Sequence, residues 1–232
     1  MPDFETIYRE RAKEYDALVA REDCEHNILR ALTGIRALAG LDLVEMGAGS
    51  GRLTRLLAPI VKSITACDRS TAMLGVAAET LKPLGLMNWH LAAGDNRRLP
   101  AADRGADIAI AGWSFGHSTG WYPDAWQHEI DLMVGEMRRV LRPGGTAIIL
   151  ETLGTGRESP RPPTAALASY YVLLEEKYGF ASSWIRTDYR FESLEEAERL
   201  TRFFFGDELA DRVGREHLVV LPECTGIWSL TI

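Results

Sequence analysis

Three short segments of this chain carry residue types and spacings that fit chemistry. In Val44-Glu45-Met46-Gly47-Ala48-Gly49-Ser50-Gly51 an apolar run ends in glycines at every second position. Glycine lets the backbone turn sharply and approach a ligand with no side chain between them. A helix beginning just after would aim its first N–H groups at a polar or anionic group. The spacing is GxGxG, whereas the dinucleotide fingerprint is GxGxxG, and a bare turn would read the same way. Asp68 closes the next apolar run, Ser63–Cys67. A carboxylate at such a strand end accepts hydrogen bonds from ribose hydroxyls; a helix N-cap is the simpler explanation. Gly94-Asp95-Asn96 closes a third run, Met87–Ala93, where a polar side chain can meet an adenine edge and a turn is the plain explanation.

A fourth segment competes with these. Gly112-Trp113-Ser114-Phe115-Gly116 spells GxSxG, the nucleophile elbow of serine hydrolases, and Asp207 or Asp211 and then His217 follow in the expected order. That elbow needs a helix directly after the serine, whereas His117–Pro123 reads as loop. A serine esterase would leave the glycine loop, Asp68 and Asp95 unexplained. His117 itself is a candidate base or hydrogen-bonding group, with a satisfied backbone carbonyl as the bland reading. The aromatics Trp113, Phe115, Trp121, Tyr122 and Trp126 suggest an apolar or cation-attracting wall, or core.

The elements that must position these residues alternate along the chain. Strand-like runs at Leu41–Met46, Ser63–Cys67, Met87–Ala93, Ala106–Ala111 and Thr146–Leu150 are separated by helix-like stretches at Leu53–Ala58, Thr71–Leu81 and Asp124–Leu141. This succession predicts a doubly wound, mostly parallel sheet with helices on both faces. Fully apolar strands fit a sheet covered on both sides. Glycine- and acid-bearing strand ends then share one carboxyl edge, where open α/β sheets bind ligands. Residues 3–39 read as two further helices, with Ile7, Ala12, Tyr15, Leu18 and Val19 at helical spacing. After the loop GTGRESPRPP comes a helix over Ala165–Tyr178. Strands at Trp184–Phe191 and Glu223–Ile232 bracket a helix starting near Ser193, where Ser193 and Glu196 make a capping box.

With 232 residues, 46% hydrophobic and 25% charged, the chain suits a single α/β domain. A net charge of −7 argues against a nucleic-acid backbone as partner. The three cysteines, Cys24, Cys67 and Cys224, give no disulfide framework, and the five histidines show no metal-ligand spacing. No apolar stretch is long enough for a membrane span. A cytoplasmic protein, monomer or homodimer, is the expectation.

Four segments taken together resemble the class I S-adenosylmethionine (SAM)-dependent methyltransferases: VEMGAGSG, ITACDRSTAML, AAGDNRRLP and VLRPGGTAIIL, in that order. The resemblance covers residues 41–151 well and the rest more loosely. It implies a seven-stranded sheet of order 3-2-1-4-5-7-6 with the last strand antiparallel, N-terminal helices, and a helical insertion after strand five. It divides one domain into a cap (1–40), a SAM-binding core (41–151), an insertion capping the substrate (152–182), and final strands and helix (183–232). It places Glu45 near the methionine end of SAM and Gly47, Ala48, Gly49 and Gly51 along the cofactor. It puts Asp68 at the ribose and Met73 and Asp95 at the adenine, with Asn96 beside them. Arg69, Gly94, Gly112 and Trp113 join this set, and Tyr15 closes over SAM. His117 would sit beside the sulfonium as the catalytic candidate.

The activity so implied is methyl transfer from SAM, yielding S-adenosylhomocysteine, to an oxygen or nitrogen of a small molecule. An in-line displacement needs alignment more than acid–base help, so the acceptor is not legible. Phe115, Trp121, Tyr122, Tyr170 and Arg186, with Arg157, Arg161 and Tyr171, are candidate substrate contacts. An NAD-dependent oxidoreductase would share the sheet and Asp68. A non-catalytic SAM-binding module would bind the cofactor without turnover.

Overall fold

A computed structural model describes residues 4–232; residues 1–3 of the expected N-terminal cap lie outside it. Helices α1 (Phe4–Glu10), α2 (Ala12–Val19) and α3 (Asn27–Ile35) come first. Then follow β1 (Asp42–Met46), α4 (Arg52–Leu57), β2 (Ser63–Asp68), α5 (Thr71–Leu81), β3 (Trp89–Ala93), β4 (Ala106–Gly112), α6 (Ser118–Trp121), α7 (Trp126–Val140) and β5 (Leu141–Thr155). The chain ends with α8 (Ala165–Glu176), β6 (Ala181–Arg186), β7 (Tyr189–Arg190), α9 (Leu194–Phe205), α10 (Asp207–Glu216), β8 (Val220–Leu221) and β9 (Glu223–Thr231).

Continuous apolar runs form the central strands because both faces of the sheet are covered. Side chains alternate across a strand. Val44, Met46, Ala109, Ala111, Ala147 and Ile149 point into one core with Ile130, Met133, Val134, Met137 and Val140 of α7. Their neighbours Leu43, Ile108, Ile110, Ile148 and Leu150 point into the other, against Ile28 and Leu32 of α3 and Leu53 and Leu57 of α4. The i, i+3, i+4, i+7 spacing of the α7 residues gives that helix one apolar stripe.

The large sheet has the order β3-β2-β1-β4-β5-β9-β6, with β9 antiparallel to both neighbours. Counted within this sheet alone, that is the expected 3-2-1-4-5-7-6. Ser193 Oγ accepts from the Glu196 amide at 3.1 Å, and Glu196 Oε2 accepts from the Glu192 amide at 2.7 Å, so the capping box closes one residue early.

Three expectations need correction. The N-terminal region holds three helices, because the chain breaks at Arg11 and turns again where Asp23 and His26 take positive φ of 59° and 57°. Trp184–Phe191 is two strands. The amides of Asp23 and Cys24 donate to the carbonyls of Thr187 and Asp188, which pulls the backbone out of the large sheet, and β7 pairs with β8 instead. His117–Pro123 is mostly helical: one tight turn at Phe115–His117 runs into α6.

Candidate active site

The carboxyl ends of β1, β2, β3 and β4 open into one cavity of about 430 Å³, with α1 and α2 above it. That is a small-molecule volume.

The floor is the glycine loop. Gly47 sits at φ 74°, and a Cβ there would lie 2.4 Å from Ser114 Cβ, so only glycine lets the ends of β1 and β4 meet. The loop amides are not a free anion cradle, however. Those of Gly47 and Ala48 donate to the Cys67 carbonyl at 2.8 and 2.9 Å, and that of Gly49 donates to Asp68 Oδ2 at 2.8 Å. The loop therefore supplies shape, and β2 consumes its donors. Gly51 is a further correction: it lies off the cavity, where a Cβ would meet Ala77 Cβ of α5 at 3.0 Å. Its job is close helix packing.

The side chains around the loop are mostly acids in defined states. Asp68 also accepts from the Ser70 amide at 2.7 Å, so two backbone donors hold its carboxylate at the cavity wall. Burial nevertheless raises its pKa, against those two hydrogen bonds. Glu45 is buried and accepts from Thr54 Oγ1 at 2.6 Å. Desolvation, reinforced by the charge of Asp68, pushes its carboxyl up to about 8. Asp95 is clasped by Arg97, whose Nε and Nη2 lie 2.8 and 2.5 Å away, and this holds its carboxyl below the ordinary range. Ser50, 1% exposed, lines the cavity with no hydrogen-bond partner for its Oγ. An orphaned buried hydroxyl facing a cavity is a donor waiting for a ligand.

On the far side of Ser114 stands an aromatic box. Tyr8 Oη lies 2.9 Å from His117 Nε2. Trp121 stacks on the imidazole at 4.7 Å and 14°, and the rings of Phe4 and Tyr8 stand 5.4 and 5.5 Å away. Burial, with Arg69 adding like charge, lowers the His117 pKa to about 4, so the imidazole is neutral at pH 7. Trp113, at φ 49°, lies under the Arg52 guanidinium at 3.4 Å, and Arg52 is ion-paired with buried Glu22.

The structure thus brings Tyr15, Glu45, Gly47, Ala48, Gly49, Asp68, Arg69, Met73, Gly94, Asp95, Asn96, Gly112, Trp113, His117, Trp121 and Tyr122 to one cavity. Six expected substrate contacts fall elsewhere. Phe115 and Tyr170 are fully buried in the main core, because the chain turns at Ser114 and sends the next side chain inward. Arg186 ends β6 and is spent on Asp188 at 2.8 Å. No residue of 152–182 lines the cavity; α8 packs Tyr170, Tyr171 and Leu174 into the core, and Arg157 and Arg161 edge a separate surface hollow. Nor is an esterase triad assembled. Ser114 Oγ donates to the Met46 carbonyl at 3.0 Å, Asp207 and Asp211 both pair with Arg202, and His217 caps α10 away from the cavity. Sequence reasoning missed Tyr8, Ser50, Arg52, Arg97 and Glu129. Tyr8 carried a signal, since it precedes Tyr15 by two helical turns and their rings meet at 5.2 Å.

Residues 43–145 match the family model for the methyltransferase domain, a stretch that takes in the glycine loop, Asp68, Asp95 and the Pro143-Gly144-Gly145 turn. The likeness to a methyltransferase domain is confined to this stretch, under half of the chain. The chain is 32% identical to the YafE protein of Escherichia coli K12 over 110 residues, 47% of this chain and 49% of that one. It is 30% identical to the malonyl-(acyl-carrier protein) O-methyltransferase of Pectobacterium atrosepticum over 131 residues, 55% of this chain and 44% of that one. It spans about half the length of the curated relatives it matches. A SAM-dependent methyltransferase structure from Aquifex aeolicus superposes with a TM-score of 0.60, covering 96% of this chain and 97% of that one at 18% identity. The fold is therefore that of the class I SAM-dependent methyltransferases, whose cofactor is SAM.

The residues fit that cofactor. A carboxylate at the end of β2, an orphaned hydroxyl in the loop and a buried carboxyl at the end of β1 suit a ligand with ribose hydroxyls and a cationic tail.

Proposed function

We propose that this protein is a SAM-dependent methyltransferase that moves a methyl group to an oxygen or nitrogen atom of a small-molecule acceptor. One observation carries the reading: a single cavity joins Asp68, Glu45 and the unpartnered Ser50 hydroxyl on one side to the Tyr8–His117 pair on the other.

In this reading Asp68 accepts hydrogen bonds from the ribose, with Asp95, Asn96, Met73, Arg69 and Gly94 around the adenine. Glu45, Gly47, Ala48, Gly49, Gly112 and Trp113 surround the methionine end, and Tyr15 closes over it. When bound, SAM supplies a methyl group on a cationic sulfur with a neutral thioether as leaving group. The task left to the chain is alignment: reacting atoms about 3 Å apart and in line. His117, Trp121 and Tyr122 wall the acceptor side. The relatives include both an O-methyltransferase and a C-methyltransferase, so the acceptor atom is read from the cavity and not from them. Residues 41–151 act as the cofactor-binding core under a cap formed by residues 4–40, in one domain. No helix among the described residues is long and apolar enough to cross a membrane, and no group of histidine, cysteine and acid residues among them is arranged for a metal.

Calorimetric titration with SAM and with S-adenosylhomocysteine tests this. Saturable binding is expected for both. Asp68→Ala should weaken it at least tenfold, since a hydrogen bond to a charged group is worth about 1.5–3 kcal/mol. No heat with either compound overturns the methyltransferase reading; unchanged affinity in Asp68→Ala removes the ribose role.

A further inference from the structure

Every acidic side chain lining the cavity already holds a partner. Glu5 pairs with Arg69 at 2.5 Å, Glu45 takes the Thr54 hydroxyl, Asp68 takes two backbone amides, and Asp95 and Glu129 share Arg97. Among the described residues, His117 is then the one imidazole in the lining. Its Nε2 is taken as well, by the Tyr8 hydroxyl. With the Tyr8 hydroxyl donating to the Nε2 lone pair, the ring proton sits on Nδ1. A second proton would be carried where Trp121, Phe4 and Tyr8 shut out water, and the lost solvation outweighs the pull of the ring faces. It would also face Arg69 from the loop after β2, a guanidinium 5.0 Å over Trp121.

We propose that Tyr8 is a positioning residue that holds His117 as a neutral hydrogen-bond donor, and that the methyl acceptor is an oxyanion with no proton to lose. The proposal rests on the methyltransferase reading. A hydroxyl acceptor needs a base to take its proton, and the cavity leaves none open. An oxyanion needs only a donor to orient it, which is what a neutral Nδ1–H offers. The oxyanion's electron pair forms the new O–C bond while the C–S bond breaks and its pair returns to sulfur. Charge is neutralised on both partners and no proton moves.

Histidine side-chain nitrogens in the full chain, read by long-range proton–nitrogen correlation and assigned with His117→Gln, test the pair directly. His117 should stay neutral from pH 5.5 to 8, protonated at Nδ1 with a hydrogen-bonded Nε2. In Tyr8→Phe the Nε2 signal should move to the free-imidazole position while the other histidines stay put. A His117 midpoint at or above the ordinary value of about 6.5, a proton on Nε2, or an unmoved signal in Tyr8→Phe overturns the positioning role. With S-adenosylhomocysteine bound, acetate should shift the Nδ1 signal saturably and acetamide should not. Equal shifts, or none with either, overturn the oxyanion. Failure of S-adenosylhomocysteine to bind removes the methyltransferase reading and the oxyanion with it, while the pH series still decides the Tyr8 contact.

Discussion

Glu45 ties folding stability to pH in a way that one substitution isolates. Its carboxyl is 2% exposed at the end of β1, donated to by Thr54, and pushed up to about 8 by burial. In the unfolded chain it titrates near its ordinary 4.5. Between these values the unfolded chain has lost the proton and the folded chain keeps it. Stability is therefore full below about pH 4.5, falls as pH rises, and levels off above about 8. Within that window the folding equilibrium weakens up to tenfold per pH unit from this one group, and the whole window amounts to about 5 kcal/mol. Glu45→Gln keeps shape and hydrogen bonding while removing the ionisation. Urea unfolding of both proteins at pH 5, 6 and 7 gives two stability curves, and their difference cancels the titrating groups that do not interact with Glu45. The variant should gain on the wild type by close to a factor of ten per pH unit, and S-adenosylhomocysteine should change that slope in the wild type alone. Parallel curves would show that Glu45 stays ionised in the fold, and the desolvation argument would fail.

Two further substitutions separate the cavity from the core. Gly47→Ala forces a side chain into positive φ and against Ser114 at 2.4 Å. The ends of β1 and β4 must part, so affinity for S-adenosylhomocysteine should drop more than tenfold in a calorimetric titration; retained affinity would refute the close approach. Phe115→Ala should do the reverse. Phe115 is fully buried and off the cavity, so its loss should lower unfolding stability by about 3–5 kcal/mol with cofactor affinity preserved at low temperature. A variant with wild-type stability and weakened binding would return Phe115 to the substrate wall.

The sequence by itself determined the doubly wound sheet and the identity of its carboxyl edge. Apolar runs of strand length, such as Ile108–Ala111, alternate with a helical stripe such as Ile130–Val140, and such local periodicities survive any packing. Gly47, Asp68 and Asp95 were legible because each sits at a fixed distance from a strand end, a relation written along the chain. Side-chain direction and partnership were not written there. Phe115 and Tyr170 carried the same letters as cavity-lining aromatics, and only the turn at Ser114 and the docking of α8 sent them inward. The Gly47–Gly49 amides lost their expected task to Cys67 and Asp68, residues on another strand. Tyr8 reached His117 across 109 positions of sequence, and burial in that aromatic box, a property of the assembled surroundings, made the histidine neutral.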